Sequence, residues 1–120
     1  MSKESDAIAQ IEESYEYMLA YAAQGRSSEG AGADGASIRN FLDNFMLSAN
    51  VLEDWVSTLT NLNSEVKAEF LRASKLIKGL IDTVLKKTNI SSELVDNMNA
   101  LMATRHYLTL IFFLDKSCLD

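Results

Sequence analysis

Residues 37–62 read SIRNFLDNFMLSANVLEDWVSTLTNL, and their spacing decides the fold. Ile38, Phe41, Phe45, Leu52, Trp55, Leu59 and Leu62 recur three, four or seven positions apart, which sets them along one face of a helix. Leu42, Met46, Ala49 and Val56 widen that stripe. The one polar position it meets is Ser48, whose hydroxyl can return a hydrogen bond to the preceding turn. The whole chain contains no proline, the residue that most readily breaks helix interiors.

Downstream, Asn61, Asn63 and Ser64 mark a tight turn and a new N-cap. A third helix follows over residues 64–87. Val66, Phe70, Ala73, Ile77, Leu80 and Val84 face inward, and Lys86 and Lys87 complement the dipole at its C-terminal end. Asn89 to Ser92 supply another turn and cap. A fourth helix is expected over residues 92–116, with Leu94, Met98, Leu101, Leu108 and Phe112 on one face.

Upstream, four of the five glycines fall between Gly25 and Gly35, so residues 25–36 read as a flexible linker. Before it, Ile8, Ile11, Tyr15, Met18 and Ala22 predict a first helix over residues 5–23, capped by Ser5. Tyr17 and Tyr21 form an aromatic pair away from its main stripe.

Short joints force neighbouring helices to run antiparallel. The expected architecture is therefore all-α: an antiparallel up-down four-helix bundle, one domain over residues 1–120. The long linker leaves the first helix free to pack on its own bundle or on a neighbour's. That helix is acidic, through Glu4, Asp6, Glu12, Glu13 and Glu16, whereas the third is basic. A first helix that docks loosely, or meets a basic surface on another subunit or partner, would follow, although surface charges weigh little individually.

At 120 residues and 48% apolar content, the chain can bury a core without disulfides or metals. Its net charge of −6 and pI near 4.7 set it against phosphate backbones, so no nucleic-acid partner is expected. The single cysteine, Cys118, cannot form an internal disulfide, which fits a reducing compartment. The polar start Met1–Asp6 does not read as a secretory signal, and no apolar run reaches the ~20 residues that span a bilayer. A cytoplasmic protein with no membrane association is the expectation.

The motifs that carry chemistry are weak. Gly30 to Gly35 matches G-x-G-x-x-G in letters, but a helix precedes it where the dinucleotide motif needs a strand. A carboxylate-bridged dimetal site needs Glu-x-x-His on two helices; the chain has one histidine, His106, with Ala103 three residues before it. No metal and no cofactor are expected. Met18, Met46, Met98 and Met102 are spread over three predicted helices, as gap-filling core residues would be.

Two constellations deserve a place as sites. Arg105 falls between Leu101 and Leu108 in a stripe-like position, where a buried cation needs a partner. With His106, Tyr15 and Ser48 it could line an interhelical pocket for a small anionic ligand, although pairing with a carboxylate explains it as well. The other is Tyr107–Leu114, apolar nearly all round, where a peripheral helix should keep one polar face. Tyr107, Leu110, Phe113 and Leu114 are the expected interface residues of a homodimer or a protein complex. No catalytic set emerges. The function expected from the residues is a non-enzymatic interaction protein, an adaptor, chaperone or regulator; the alternative is a bundle that binds a small ligand near Arg105.

Overall fold

The structure is a computed structural model. It describes residues 2–29 and 33–119, without the side chains of residues 33–37. Among the described residues the protein is all-helical, with 82% of them in helix and five α-helices.

Helix α1 spans Lys3–Ala22. It starts earlier than Ser5, because the Ser2 hydroxyl accepts the Ser5 N–H at 3.0 Å and caps it. Ala7, Ile8, Ile11, Met18 and Tyr21 form its buried face. Beyond its C-terminus Gly25 takes φ 67°, a left-handed conformation that costs glycine little and turns the chain.

Helix α2 spans Ala33–Thr58. Ile38, Leu42, Phe45, Ala49, Leu52 and Val56 are buried at alternating spacings of four and three. It stops short of Leu62: Thr58 and Ser57 turn their hydroxyls back onto the carbonyls of Trp55 and Glu53 at 2.7 and 2.8 Å. The α2 start lies inside the expected 25–36 linker, and residues 30–32 of that linker, the first half of the glycine motif, lie outside the described residues.

Helix α3 spans Ser64–Leu85. Asn63 caps it, its Oδ1 accepting the N–H groups of Glu65 and Val66 at 2.9 and 3.2 Å. Phe70, Ala73, Ile77, Ile81 and Val84 are its buried apolar residues.

The expected fourth helix is broken in two. Helix α4 spans Ser92–Ala100 and α5 spans Met102–Leu114. Between them Leu101 takes ψ 140°, which is extended backbone. Side chains stitch the break: the Thr104 hydroxyl donates to the Met98 carbonyl at 2.7 Å, and the Asn99 amide donates to the Met18 carbonyl of α1 at 3.2 Å. A π-helical turn, Asp115–Leu119, continues from α5.

Helix α1 packs on α2 and α4, α2 on α3, and α3 on α5. Partner positions run in opposite order along α2 and α3: Arg39 meets Leu85, Asn50 meets Lys78, and Glu53 meets Ser74. The same reversal joins α1 to α4, where Met18 meets Asn99 and Tyr21 meets Ser92. The molecule measures 47 × 27 × 21 Å. Ile11, Leu42, Phe45, Phe70 and Ile77 are wholly shielded from solvent, each stabilising the fold by about 1.5–3 kcal/mol. Tyr107 of α5 joins them, its ring 5.9 Å from that of Phe45 and 5.5 Å from that of Phe70.

Candidate functional site

Helix α5 presents two faces of different character. Thr104, Tyr107, Leu108, Ile111 and Leu114 recur three or four apart and are buried against the other helices. The remaining positions look outward, and three of them are large and apolar: Met102 is 85% exposed, Phe112 45% and Phe113 55%. Leu110 is half-buried at the edge of the core. Single exposed apolar residues are ordinary on any surface; adjacent half-exposed phenylalanines on one short helix are a cluster.

The same outer face carries a polar anchor. His106 Nε2 lies 2.7 Å from Glu69 Oε2 on α3, and Glu69 also pairs with Arg72 at 3.1 Å. All three side chains are largely in water. The hydrogen bond from His106, then that from Arg72, holds the Glu69 carboxyl below its ordinary range. An exposed pair of this kind adds little to stability.

The residues expected from the sequence are not brought together. Arg105 is exposed rather than inward, which corrects its assignment to the apolar stripe. The stripe assumes an unbroken helix, and the extended Leu101 resets its phase. Tyr15 is half-buried on α1. Ser48 is buried on α2 and lines a shallow surface depression of about 300 Å³ beside Lys3 and Asp6. Of the expected interface residues, Phe113 is exposed and Leu110 partly so, but Tyr107 and Leu114 lie in the core of the single chain and offer no contact surface. Tyr17 and Tyr21 also turn inward: Tyr17 stacks on Phe41 with centroids 4.2 Å apart, and Tyr21 is fully buried. Among the described residues, no three His, Cys, Asp or Glu side chains are placed to share a metal ion, and no helix is long and apolar enough to cross a membrane.

Two polar networks were not foreseen. In the first, residues 26–29 are pinned across the joint between α3 and α4. Arg39 holds Glu29 through two bonds of 2.9 and 2.8 Å and donates to the carbonyls of Leu85 and Lys87 at the end of α3. Glu29 Oε1 accepts the Ile90 N–H at 2.8 Å, and the Glu29 N–H donates to Asn89 Oδ1 at 2.9 Å. The available signal was Glu29, a charge inside a glycine-rich stretch, with Arg39 ten residues further on. In the second, the buried Ser74 hydroxyl donates to Glu53 Oε2 at 2.8 Å, and Lys78 Nζ meets the same oxygen at 2.9 Å. Ser74, Glu53 and Lys78 lie on two helices that the sequence alone does not align.

No family model matches this sequence, and comparison with curated proteins and with solved structures likewise finds no match.

Proposed function

We propose that the chain forms an antiparallel up-down four-helix bundle, with α4 and α5 sharing the fourth position, and that it works as a non-enzymatic interaction protein. Its working surface is the outer face of α5, through which it forms a homodimer. The reversed pairing of α1 with α4 and of α2 with α3 supports the topology. The observation that carries the function is the adjacent pair Phe112 and Phe113, half-exposed on a helix whose other face is already buried. Burying these rings and Met102 on a second copy removes apolar area from water, the main favourable term in association. A stable interface needs roughly 1,000 Å² or more in total, so the neighbouring turns of α3 must contribute as well. An acidic chain with one cysteine is suited to the cytoplasm.

Light scattering on the eluting protein tests this reading. The wild-type chain should elute at twice its 13.3 kDa mass. The double variant Phe112→Ser, Phe113→Ser should elute at the single-chain mass with an unchanged helical circular dichroism spectrum. A monomeric wild type at high micromolar concentration, or a double variant that stays dimeric, rules the surface out.

A further inference from the structure

The turn between α2 and α3, the end of α5 and the π-helical turn after it line an open pocket of about 550 Å³. That volume lies within the range of small-molecule sites, about 300–1,000 Å³. Leu59, Leu62, Val66 and Phe113 give it an apolar lining. Thr60, Asn61 and Ser117 add uncharged polar groups. Charged residues make up 23% of the chain, yet among the described residues none lines this pocket. An ionic ligand would find no counter-charge on this lining to offset whatever part of its hydration it gives up. The polar groups sort further. Ser117 commits its proton to the Phe113 carbonyl at 2.8 Å. Among the described residues, Thr60 and Asn61 make no side-chain hydrogen bond within the chain. They stand at the rim with donors and acceptors to offer.

We propose that this pocket binds a neutral small molecule, with a ring-bearing apolar body seated on Leu59, Leu62, Val66 and Phe113 and one hydrogen-bonding group turned to Asn61 and Thr60. The site is separate from the proposed dimer face except at Phe113, which borders both. Phe112 does not line it.

Two dyes that share a ring system test the proposal: uncharged N-phenyl-1-naphthylamine and its anionic relative 8-anilinonaphthalene-1-sulfonate. Fluorescence titration should show one saturable site per chain for the neutral dye, with the sulfonate weaker by about tenfold or more. The methyl resonances of Leu59, Leu62 and Val66 should shift with the neutral dye. Asn61→Trp, which plugs the rim from an exposed position, should abolish binding, and Phe112→Ser should leave it intact. Loss of dimerisation in Phe112→Ser with dye binding retained separates the two readings. Binding that survives Asn61→Trp while the variant keeps its helical spectrum, sulfonate binding as tight as the neutral dye, or methyl shifts confined to Leu110 would each overturn it. So would concentration-dependent shifts of the same pocket methyls without dye, which would assign the pocket to a second copy of the chain.

Discussion

Tyr21, near the end of α1, donates its phenolic hydrogen bond to the carbonyl of Ile90 at 2.6 Å, joining residues 69 positions apart. Ser92 returns the contact, its hydroxyl donating to the Tyr21 carbonyl at 2.7 Å and accepting the Arg26 N–H at 2.9 Å. Arg26 also lies over the Tyr21 ring, 5.7 Å from its centroid. The first helix is therefore tied to the α3–α4 joint by directional bonds inside the core. Removing only the hydroxyl, in Tyr21→Phe, leaves the Ile90 carbonyl without that donor in a buried place. The expected loss is about 1–3 kcal/mol of stability, read from the midpoint of urea unfolding. A change within a few tenths would show that water supplies the missing bond.

Arg39 closes the same joint from the other side. Its guanidinium reaches Glu29 by two bonds and also satisfies the carbonyls of Leu85 and Lys87, which the end of α3 leaves without intrahelical partners. Four acceptors around one planar fork demand arginine geometry, which an ammonium does not reproduce. Arg39→Lys should therefore destabilise by about 1–2 kcal/mol although it keeps the charge, and Arg39→Ala by more. Faster amide exchange at Ile90, whose N–H donates to Glu29, should accompany the loss in both variants. Equal stabilities for the lysine variant and the wild type would reduce the pair to simple charge attraction.

Acid should loosen this joint at a defined place on the pH scale. The bonds from Arg39, aided by the Ile90 N–H, hold the Glu29 carboxyl below its ordinary 4.5 against the opposing effect of burial. At Glu53 burial pushes the carboxyl up, but the bonds from Lys78 and Ser74 outweigh it and the net direction is again downward. A carboxyl lowered in the folded state binds fewer protons there than in the unfolded chain. Its contribution is complete above 4.5 and is lost as the pH falls from 4.5 through the folded value. Urea midpoints should thus fall below that pH. Glu29→Gln should be less stable at neutral pH and show a shallower fall, and parallel pH profiles for the two proteins would deny Glu29 its part.

The first three helices were legible because each buries a continuous stripe whose period survives from cap to cap, as Ile38 to Val56 and Phe70 to Val84 do. Asn63 and Ser91 cap where turn residues were expected, each accepting backbone N–H groups. The break at Leu101 was not legible. Neither proline nor glycine marks it, and one of the two side-chain bonds across it is tertiary: Asn99 reaches the Met18 carbonyl on another helix, beside the local bond from Thr104 to Met98. Arg105 was misplaced for that reason, and so was the division of Tyr107–Leu114 between core and surface. The contacts of segment 25–29 were not legible for a related reason. Glycine content reports the freedom of an isolated chain, whereas Glu29 and Asn89 are fixed by partners about sixty residues away.

Tyr107 is the counterpart of Tyr21. Its ring is fully buried between Phe45 and Phe70, yet among the described residues its hydroxyl, beside Ser74, makes no well-formed hydrogen bond. A buried hydroxyl left without a partner bears its desolvation cost with nothing in return. Tyr107→Phe should therefore be neutral or stabilising by up to about 1 kcal/mol, opposite in sign to Tyr21→Phe. Burial, opposed by Ser74 and reinforced by the charge of Glu53, raises the Tyr107 hydroxyl above its ordinary 10.0. The folded state then keeps a proton that the unfolded chain releases, so this contribution is present below pH 10 and is lost as the pH rises beyond it. The phenylalanine variant should accordingly hold its stability further into alkali than the wild type in urea unfolding. A Tyr107→Phe protein destabilised by more than about 1 kcal/mol at neutral pH would mean that the hydroxyl has a firm partner in solution, most simply the Ser74 oxygen, whose lone pairs can accept from it.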